Sequence, residues 1–329
     1  MKTTKIRWGI LSTGRIAGHF AQAVSSMPDS QLIAVGSRSL ETGRAFAEEF
    51  GVPHVHSSYE SLAADPDVDA IYVATPHPMH KDNSILCLSA GKAVLCEKPF
   101  TLNAREADAV IELARLKKLF LMEAMWTRFL PGMAKVRELI AGGVIGEPRM
   151  VMADFGFRAN LDPRSRLFDP QLGGGSLLDV GVYCVSLASM IFGKPSRIAG
   201  LAALGTTGVD EQAGWVLGYD NGRLAVLSSA VRTHTQHEAW IHGTTGSIKI
   251  HAPWYAPKRI SVLSHSKEEQ VIDTPFDGNG FPHQITEANE CIRAGRLESE
   301  ILPLQETRDI METLDGIRSQ WGMTYPSEK

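Results

Sequence analysis

The sequence predicts an α/β protein in two parts, a doubly wound parallel sheet followed by a second α/β domain whose open sheet is mostly antiparallel. Three observations carry this. From Lys5 to Met125, short β-type runs alternate with amphipathic helical runs, the pattern of βαβ units. Past Met125 that rhythm stops, and several short strands separated by turn signals follow. The chain has 329 residues, more than one hydrophobic core usually fills. The expected division is therefore 1–125 and 126–329.

Lys5–Leu11 is the first strand, and Ser12-Thr13-Gly14-Arg15-Ile16-Ala17-Gly18 is the turn after it. Ile16, Phe20, Ala23 and Val24 then recur at helical spacing. Strand, small-residue turn and helix give a dinucleotide's pyrophosphate the free N–H groups of a helix N-terminus. Ser12 stands where such a turn carries its first glycine, Gly14 takes the second position and Ala17 the third. A plain strand–helix turn is the competing reading. Gln31–Ser37 is the second strand, and the helix Glu41–Phe50 ends at Gly51. The tip between them, Gly36-Ser37-Arg38-Ser39, has no carboxylate until Glu41. A guanidinium flanked by two hydroxyls suits a ribose 2′-phosphate, so NADP is expected ahead of NAD. The alternative is that Arg38 is an ordinary loop residue.

Ala70–Thr75 reads as a strand, and Pro76-His77-Pro78-Met79-His80 opens a helix that Gly91 closes. The next strand, Ala93–Glu97, stops at Glu97-Lys98-Pro99. A lysine is costly to bury unpaired and a proline cannot continue a central strand, so the chain turns at the carboxyl edge of the sheet. Open α/β folds bind ligands at that edge. A solvated lysine at a strand exit is the other reading. Asn103 and Glu106 cap a helix reaching about Lys118, and Leu119–Met125 is strand-like.

In the second half, Pro131–Ala141 is a helix ended by Gly142-Gly143, Arg149–Phe157 a strand and Asn160–Gly175 a long loop. Ser176–Phe192 is an apolar helix, residues 196–264 are strands, and helices around Gln284–Ala294 and Leu304–Ser319 finish the chain. Asp179 and Tyr183 lie four apart, hence on one helix face. Asp179 also lies three after Ser176, as in a capping box, and Tyr183 reads equally as a core tyrosine.

The bulk properties exclude several classes. Apolar residues make up 43% and charged residues 21%, as in ordinary globular domains, and the net charge of −4 leaves no basic footprint for nucleic acid. Cys87, Cys96, Cys184 and Cys291 are far apart and match neither a disulfide framework nor a zinc pattern, so a cytoplasmic setting is expected. No apolar run reads as membrane-spanning, and Met-Lys-Thr-Thr-Lys leads straight into a strand, so no membrane is expected. His54, His56, His234 and His237 lack a third ligand at metal spacing, so no metal is expected.

Glu97-Lys98-Pro99, the segment from Ala74-Thr75-Pro76 to His80, Met122-Glu123-Ala124-Met125-Trp126-Thr127-Arg128-Phe129, and Leu178-Asp179-Val180-Gly181-Val182-Tyr183 together resemble the Gfo/Idh/MocA oxidoreductases. Within that family the chain is most similar to the branch of the trans-dihydrodiol and NADP-dependent D-xylose dehydrogenases. The resemblance implies an N-terminal Rossmann domain and a C-terminal α/β domain whose open sheet makes a homodimer. It implies a Lys98–Pro99 bond that is often cis. Lys98 and Tyr183 are to meet over the nicotinamide with Asp179 beside them. Cofactor contacts carried over are Ser12, Thr13, Gly14, Arg15, Ile16, Ser37, Arg38, Thr75, Pro76, His80, Glu97, Lys98, Trp126 and Arg128. Trp126, Phe155, Phe157, Trp254 and Phe281 are the aromatic walls of the substrate site, with Arg158, His234 and His283 as polar contributors. Most of the wider family carries histidine at Tyr183, whereas tyrosine marks this branch.

Those roles make chemical sense. A free phenol, with a pKa near 10, is a poor base at neutral pH. An ammonium about 4 Å away, at an effective dielectric of about 20, supplies about 4 kcal/mol, or about three pKa units. The expected activity is hydride transfer between NADP (or NAD) and a hydroxyl of an aldose or a trans-dihydrodiol, with Tyr183 as acid/base; Lys98 as the base is the competing assignment. A cofactor-sensing regulator of the same fold and a reductase of cyclic keto-sugars are the alternatives.

Overall fold

A computed structural model describes residues 5–264 and 268–328; residues 1–4, read above as the lead-in to the first strand, lie outside them. The elements run β1 (Ile6–Leu11), α1 (Arg15–Ser25), β2 (Ser30–Gly36), α2 (Leu40–Phe50), β3 (His54–His56), α3 (Tyr59–Ala63), β4 (Ala70–Val73), α4 (His80–Ser89), β5 (Ala93–Glu97), α5 (Ala104–Lys117) and β6 (Leu121–Ala124). They continue with α6 (Pro131–Ala141), β7 (Pro148–Gly156), α7 (Val182–Phe192), β8 (Arg197–Leu204), β9 (Asp210–Gly218), β10 (Leu224–Ala230), β11 (Ala239–Gly243), β12 (Gly246–Ile250), β13 (Arg259–Ser264), β14 (Gln270–Asp273), α8 (Phe281–Arg293) and α9 (Leu304–Ser319). Two compact units result. One is Met1–Thr101, Arg105–Trp126 and Asp277–Thr307; the other is Leu102–Ala104, Thr127–Phe276 and Arg308–Lys329.

In the first unit six parallel strands take the order β3-β2-β1-β4-β5-β6. Every residue of β4, β5 and β6 is buried, as expected of apolar parallel strands covered on both faces. The chain moves outward from β1 in both directions, so the crevice for a ligand opens at the carboxyl ends of β1 and β4. Phe20 of α1 stacks on Tyr72 of β4 at 3.9 Å and meets Trp8 of β1 edge-on. The Asn289 side chain of α8 accepts from Trp8 Nε1 at 3.1 Å and donates to Ser30 Oγ at 2.7 Å. Sequence reading left out β3 and α3, which are too short and polar to show a period.

The second unit holds an eight-stranded sheet, β14-β13-β12-β11-β7-β10-β9-β8, antiparallel except for the β7–β10 pair. Val151, Ala153, Trp215, Leu217, Ala225 and Leu227 are buried on one face, where α7 packs. Their neighbours Met152, Val216 and Val226 are exposed on the other, beside Leu201, which is 83% exposed. The alternation is that of a sheet covered on one side only. By length and composition Pro170–Phe192 is apolar enough to cross a membrane, which corrects the reading that no run is, and most of its apolar stretch is buried inside the structure, as the core helix of a globular domain is.

Candidate cofactor and catalytic site

The turn between β1 and α1 explains its own sequence. Ser12 has φ of 101°, in the region that favours glycine, so it holds the first-glycine position in the conformation a glycine would adopt. Its amide donates to Gly36 O at 2.9 Å. Gly14 precedes α1 with extended backbone, and among the described residues no side chain caps the helix start. A Cβ on Gly14 would meet only Ser12 Oγ, at 4.0 Å. An uncapped helix start beneath open space fits a pyrophosphate.

At the tip of β2, the buried Ser37 bonds Thr42 Oγ1 at 2.8 Å and accepts the Ser39 N–H at 3.2 Å, while Ser39 caps α2 by accepting from Thr42 N. Both hydroxyls thus shape the turn. Arg38 between them is exposed and makes no ion pair among the described residues.

The carboxyl ends of β4 and β5 are tied together by His80, which is 1% exposed; its Nε2 lies 2.8 Å from Thr75 O and its Nδ1 2.7 Å from Pro99 O. Burial pushes the His80 pKa down, and the positive Lys98 acts in the same direction. A neutral ring has one N–H, so it donates to one of the two carbonyls at a time. Thr75 Oγ1 accepts from Asn83 at 3.1 Å. The Lys98–Pro99 bond is cis, as the resemblance implied. Two buried carboxylates fasten the backbone around it. Glu97 accepts from the Tyr72 hydroxyl and from Lys98 N–H, and Glu123 accepts from Phe100 N–H at 3.1 Å. Lys98 itself is half-buried. In the same unit Trp126 lies 5.7 Å from Phe281, whose ring meets His19 edge-on.

In the second unit the predicted helix over Ser176–Phe192 begins as a π turn, Leu177–Gly181, before α7. Such turns occur often at functional sites. Ser176 does not act as a cap. Its Oγ donates to Asp210 Oδ2 at 2.7 Å, and Leu177 N–H donates to the same oxygen at 2.7 Å. The capping-box reading of Asp179 therefore gives way to an ion pair, since Arg166 Nη1 lies 2.7 Å from Asp179 Oδ1. Asp210 is fully buried, and burial pushes its carboxyl up to about 7 against the opposing bonds from Ser176 and Leu177. Gly175 has φ of 114°, and a Cβ there would overlap Asp210 Oδ1, so glycine is required. Sequence reading missed Arg166 and Asp210; neither has a local signal.

Around Tyr183, in the first turn of α7, the same unit gathers an aromatic cluster. Phe155 stacks on Tyr255 at 4.0 Å, and the Tyr183 ring lies 5.4 Å from Phe155 and 6.1 Å from Tyr255. His237 meets Phe155 and Tyr255 edge-on, with Nε2 2.6 Å from Gly156 O. Trp254 is fully buried and donates to Asp154 O at 2.7 Å, so it packs behind Tyr255. Tyr255 was missed although it adjoins the named tryptophan. Phe157, half-buried, follows β7 with its amide on Ala230 O at 3.0 Å. Arg128 is 3% exposed and donates to Ser186 O at 3.1 Å, tying its segment to α7. One expectation needs correcting: His54 and His56 do have a third donor, Asp65, whose Oδ2 lies 2.8 and 2.9 Å from their ring nitrogens.

A doubly wound sheet with an uncapped glycine turn is a dinucleotide-binding arrangement, and the comparisons supply the class of chemistry. The chain belongs to the Gfo/Idh/MocA oxidoreductase family, residues 6–125 matching its NAD-binding Rossmann-fold model and residues 133–249 its C-terminal domain model. It is thus an NAD(P)-dependent dehydrogenase by class. Among named relatives it is 39% identical to trans-1,2-dihydrobenzene-1,2-diol dehydrogenase of Mus musculus and 37% identical to that of Homo sapiens, each over 98% of this chain and 99% of the relative. Its fold is that of an aldose-aldose oxidoreductase from Caulobacter crescentus solved with glycerol (TM-score 0.87, 23% identity, 97% of this chain and 98% of that one). A 3-ketoreductase from Actinomadura kijaniata, solved with NADP and TDP-benzene, is also similar (TM-score 0.84, 24% identity, 96% and 98% covered).

Proposed function

We propose that the enzyme is an NADP-dependent dehydrogenase of trans-dihydrodiols or aldoses, in which the nicotinamide, when bound, exchanges a hydride with the carbinol carbon. The observation that carries this is the 37–39% identity, nearly end to end, to dihydrodiol dehydrogenases. In this reading residues 1–125 bind the dinucleotide, while 126–329 bind substrate and form the dimer. Ser12 to Ile16 take the pyrophosphate at the open start of α1, and Arg38 takes the ribose 2′-phosphate, with the Ser37 hydroxyl, expected above to share that phosphate, instead buried and holding the turn that presents Arg38. Thr75, Pro76, His80, Glu97, Lys98, Trp126 and Arg128 shape the nicotinamide end.

Tyr183 removes the hydroxyl proton during oxidation and returns it during reduction of a carbonyl or dicarbonyl. Lys98 binds the substrate oxygen and, as a cation, favours the phenolate. Asp179, charge-paired with Arg166, fixes the turn that leads into Tyr183. Phe155, Phe157, Trp126 and Phe281, with Tyr255 backed by Trp254, offer flat faces to an aryl ring or the apolar face of a pyranose. The exposed apolar face around Met152, Leu201, Val216 and Val226 supports dimerisation through the second sheet. The test is a panel of trans-dihydrodiols, aldoses and dicarbonyls followed by nicotinamide absorbance. Turnover of a dihydrodiol or aldose with NADP is expected; turnover of neither class would overturn the reading.

A further inference from the structure

We propose that His54, His56 and Asp65 form a binding site for one divalent transition-metal ion of the zinc class at the edge of the parallel sheet. The two histidines are alternate residues of the edge strand β3, so both rings leave the same face. Asp65 arrives from the segment after α3, and its Oδ2 lies 2.8 Å from His54 Nδ1 and 2.9 Å from His56 Nε2. All three donor atoms lie within 4.8 Å of one another. A tetrahedral zinc ion with bonds of about 2.0–2.1 Å separates its ligands by about 3.3 Å, so the carboxylate has only to withdraw by about half an ångström to admit it. Two neutral imidazoles and one carboxylate suit zinc, nickel and copper better than magnesium or calcium.

The surroundings favour a prepared site. Asp65 is buried, and its other oxygen accepts Asp67 N–H at 2.9 Å, which orients the carboxylate as outer partners of metal ligands do. The His54 side chain is 39% exposed, giving an ion and a coordinating water access. Lys92 Nζ, which donates to the carbonyls of Asp65 and Val68, and Arg7, which pairs with Asp67 and Asp69, are cations near the cluster, and those two aspartates are nearby acids. Ser37 N–H donates to His56 O at 3.0 Å, which sets the site one peptide from the β2 tip. An ion here clips β3 to the chain leading into β4.

The test uses the full chain without a polyhistidine tag, stripped with EDTA and desalted. It is titrated with Co²⁺ by visible absorption and with Zn²⁺ by competition with a chromophoric chelator. One ion per chain is expected, with affinity lowered about tenfold or more by His54→Ala, His56→Ala and Asp65→Asn, and unmoved by His251→Ala. Zn²⁺ should also raise the thermal midpoint of the wild type and not of those three variants. Should an alanine variant fail to fold, His54→Gln and His56→Gln carry the same expectation. Absence of stoichiometric binding, or binding indifferent to these substitutions, overturns the proposal.

Discussion

Lys98 and Tyr183 are delivered by contrasting architecture. Lys98 follows directly from β5, and its backbone is fastened by Glu97, Glu123 and His80, all within the parallel-sheet unit. Tyr183 follows a π turn whose footing is the carboxylate of Asp210, at the start of β9, and its ring leans on Phe155 and Tyr255 from two other segments. The first arrangement comes from chain order alone, because a parallel strand must end at the sheet's carboxyl edge. The second exists only once distant segments have packed.

This contrast is open to test. The largest effect belongs to Lys98→Met, which should lower kcat about 10³-fold while leaving the thermal midpoint near wild type, since the carboxylates and His80 hold the backbone without the ammonium. A large fall in stability would show that the lysine is part of the frame.

Asp210 should instead couple stability to pH. Its carboxyl is raised from 3.8 to about 7, so the folded chain binds the proton more tightly than the unfolded one. That contribution is complete below about pH 4 and is lost as pH rises toward 7, with a slope of up to about 1.4 kcal/mol per pH unit. Urea unfolding across this range should show the slope in the wild type and a flatter curve for Asp210→Asn. Equal slopes would mean that burial does not raise the Asp210 carboxyl in the folded chain.

Arg38→Ala should reduce the preference for NADP over NAD in kcat/KM about 10- to 100-fold, the loss of a charge-assisted phosphate contact. An unchanged ratio would return Arg38 to an ordinary loop role. The smallest effect is Ser12→Gly. Release from φ of 101° outweighs glycine's extra unfolded-state freedom, so stability should rise by about 0.5 kcal/mol in denaturant titration. A fall would mean that the serine hydroxyl does more than fill the turn.

The same contrast explains what the sequence made legible. The parallel sheet could be read because its strands are apolar runs with helices between them, and the Ser12–Ile16 turn and Lys98 stand at strand ends. α6 was legible end to end, with proline at its start and glycine after it. β3 and α3 were not, being three and five residues long. Asp179 was visible, but its partner was not, because Arg166 reaches it from an irregular loop and Ser176 turns to Asp210 instead. Tyr255 and Asp65 escaped for the same reason: each matters through side chains that adjoin it only after folding.

The most direct measurement is the pH dependence of kcat for alcohol oxidation by the wild type and Tyr183→Phe. The account predicts an acid limb in the wild type with an apparent pKa well below 10, and in Tyr183→Phe a loss of that limb with kcat lower by about 10²- to 10⁴-fold. Near-wild-type kcat with the limb retained in Tyr183→Phe, alongside inactivity of Lys98→Met, would contradict it and make the lysine the base.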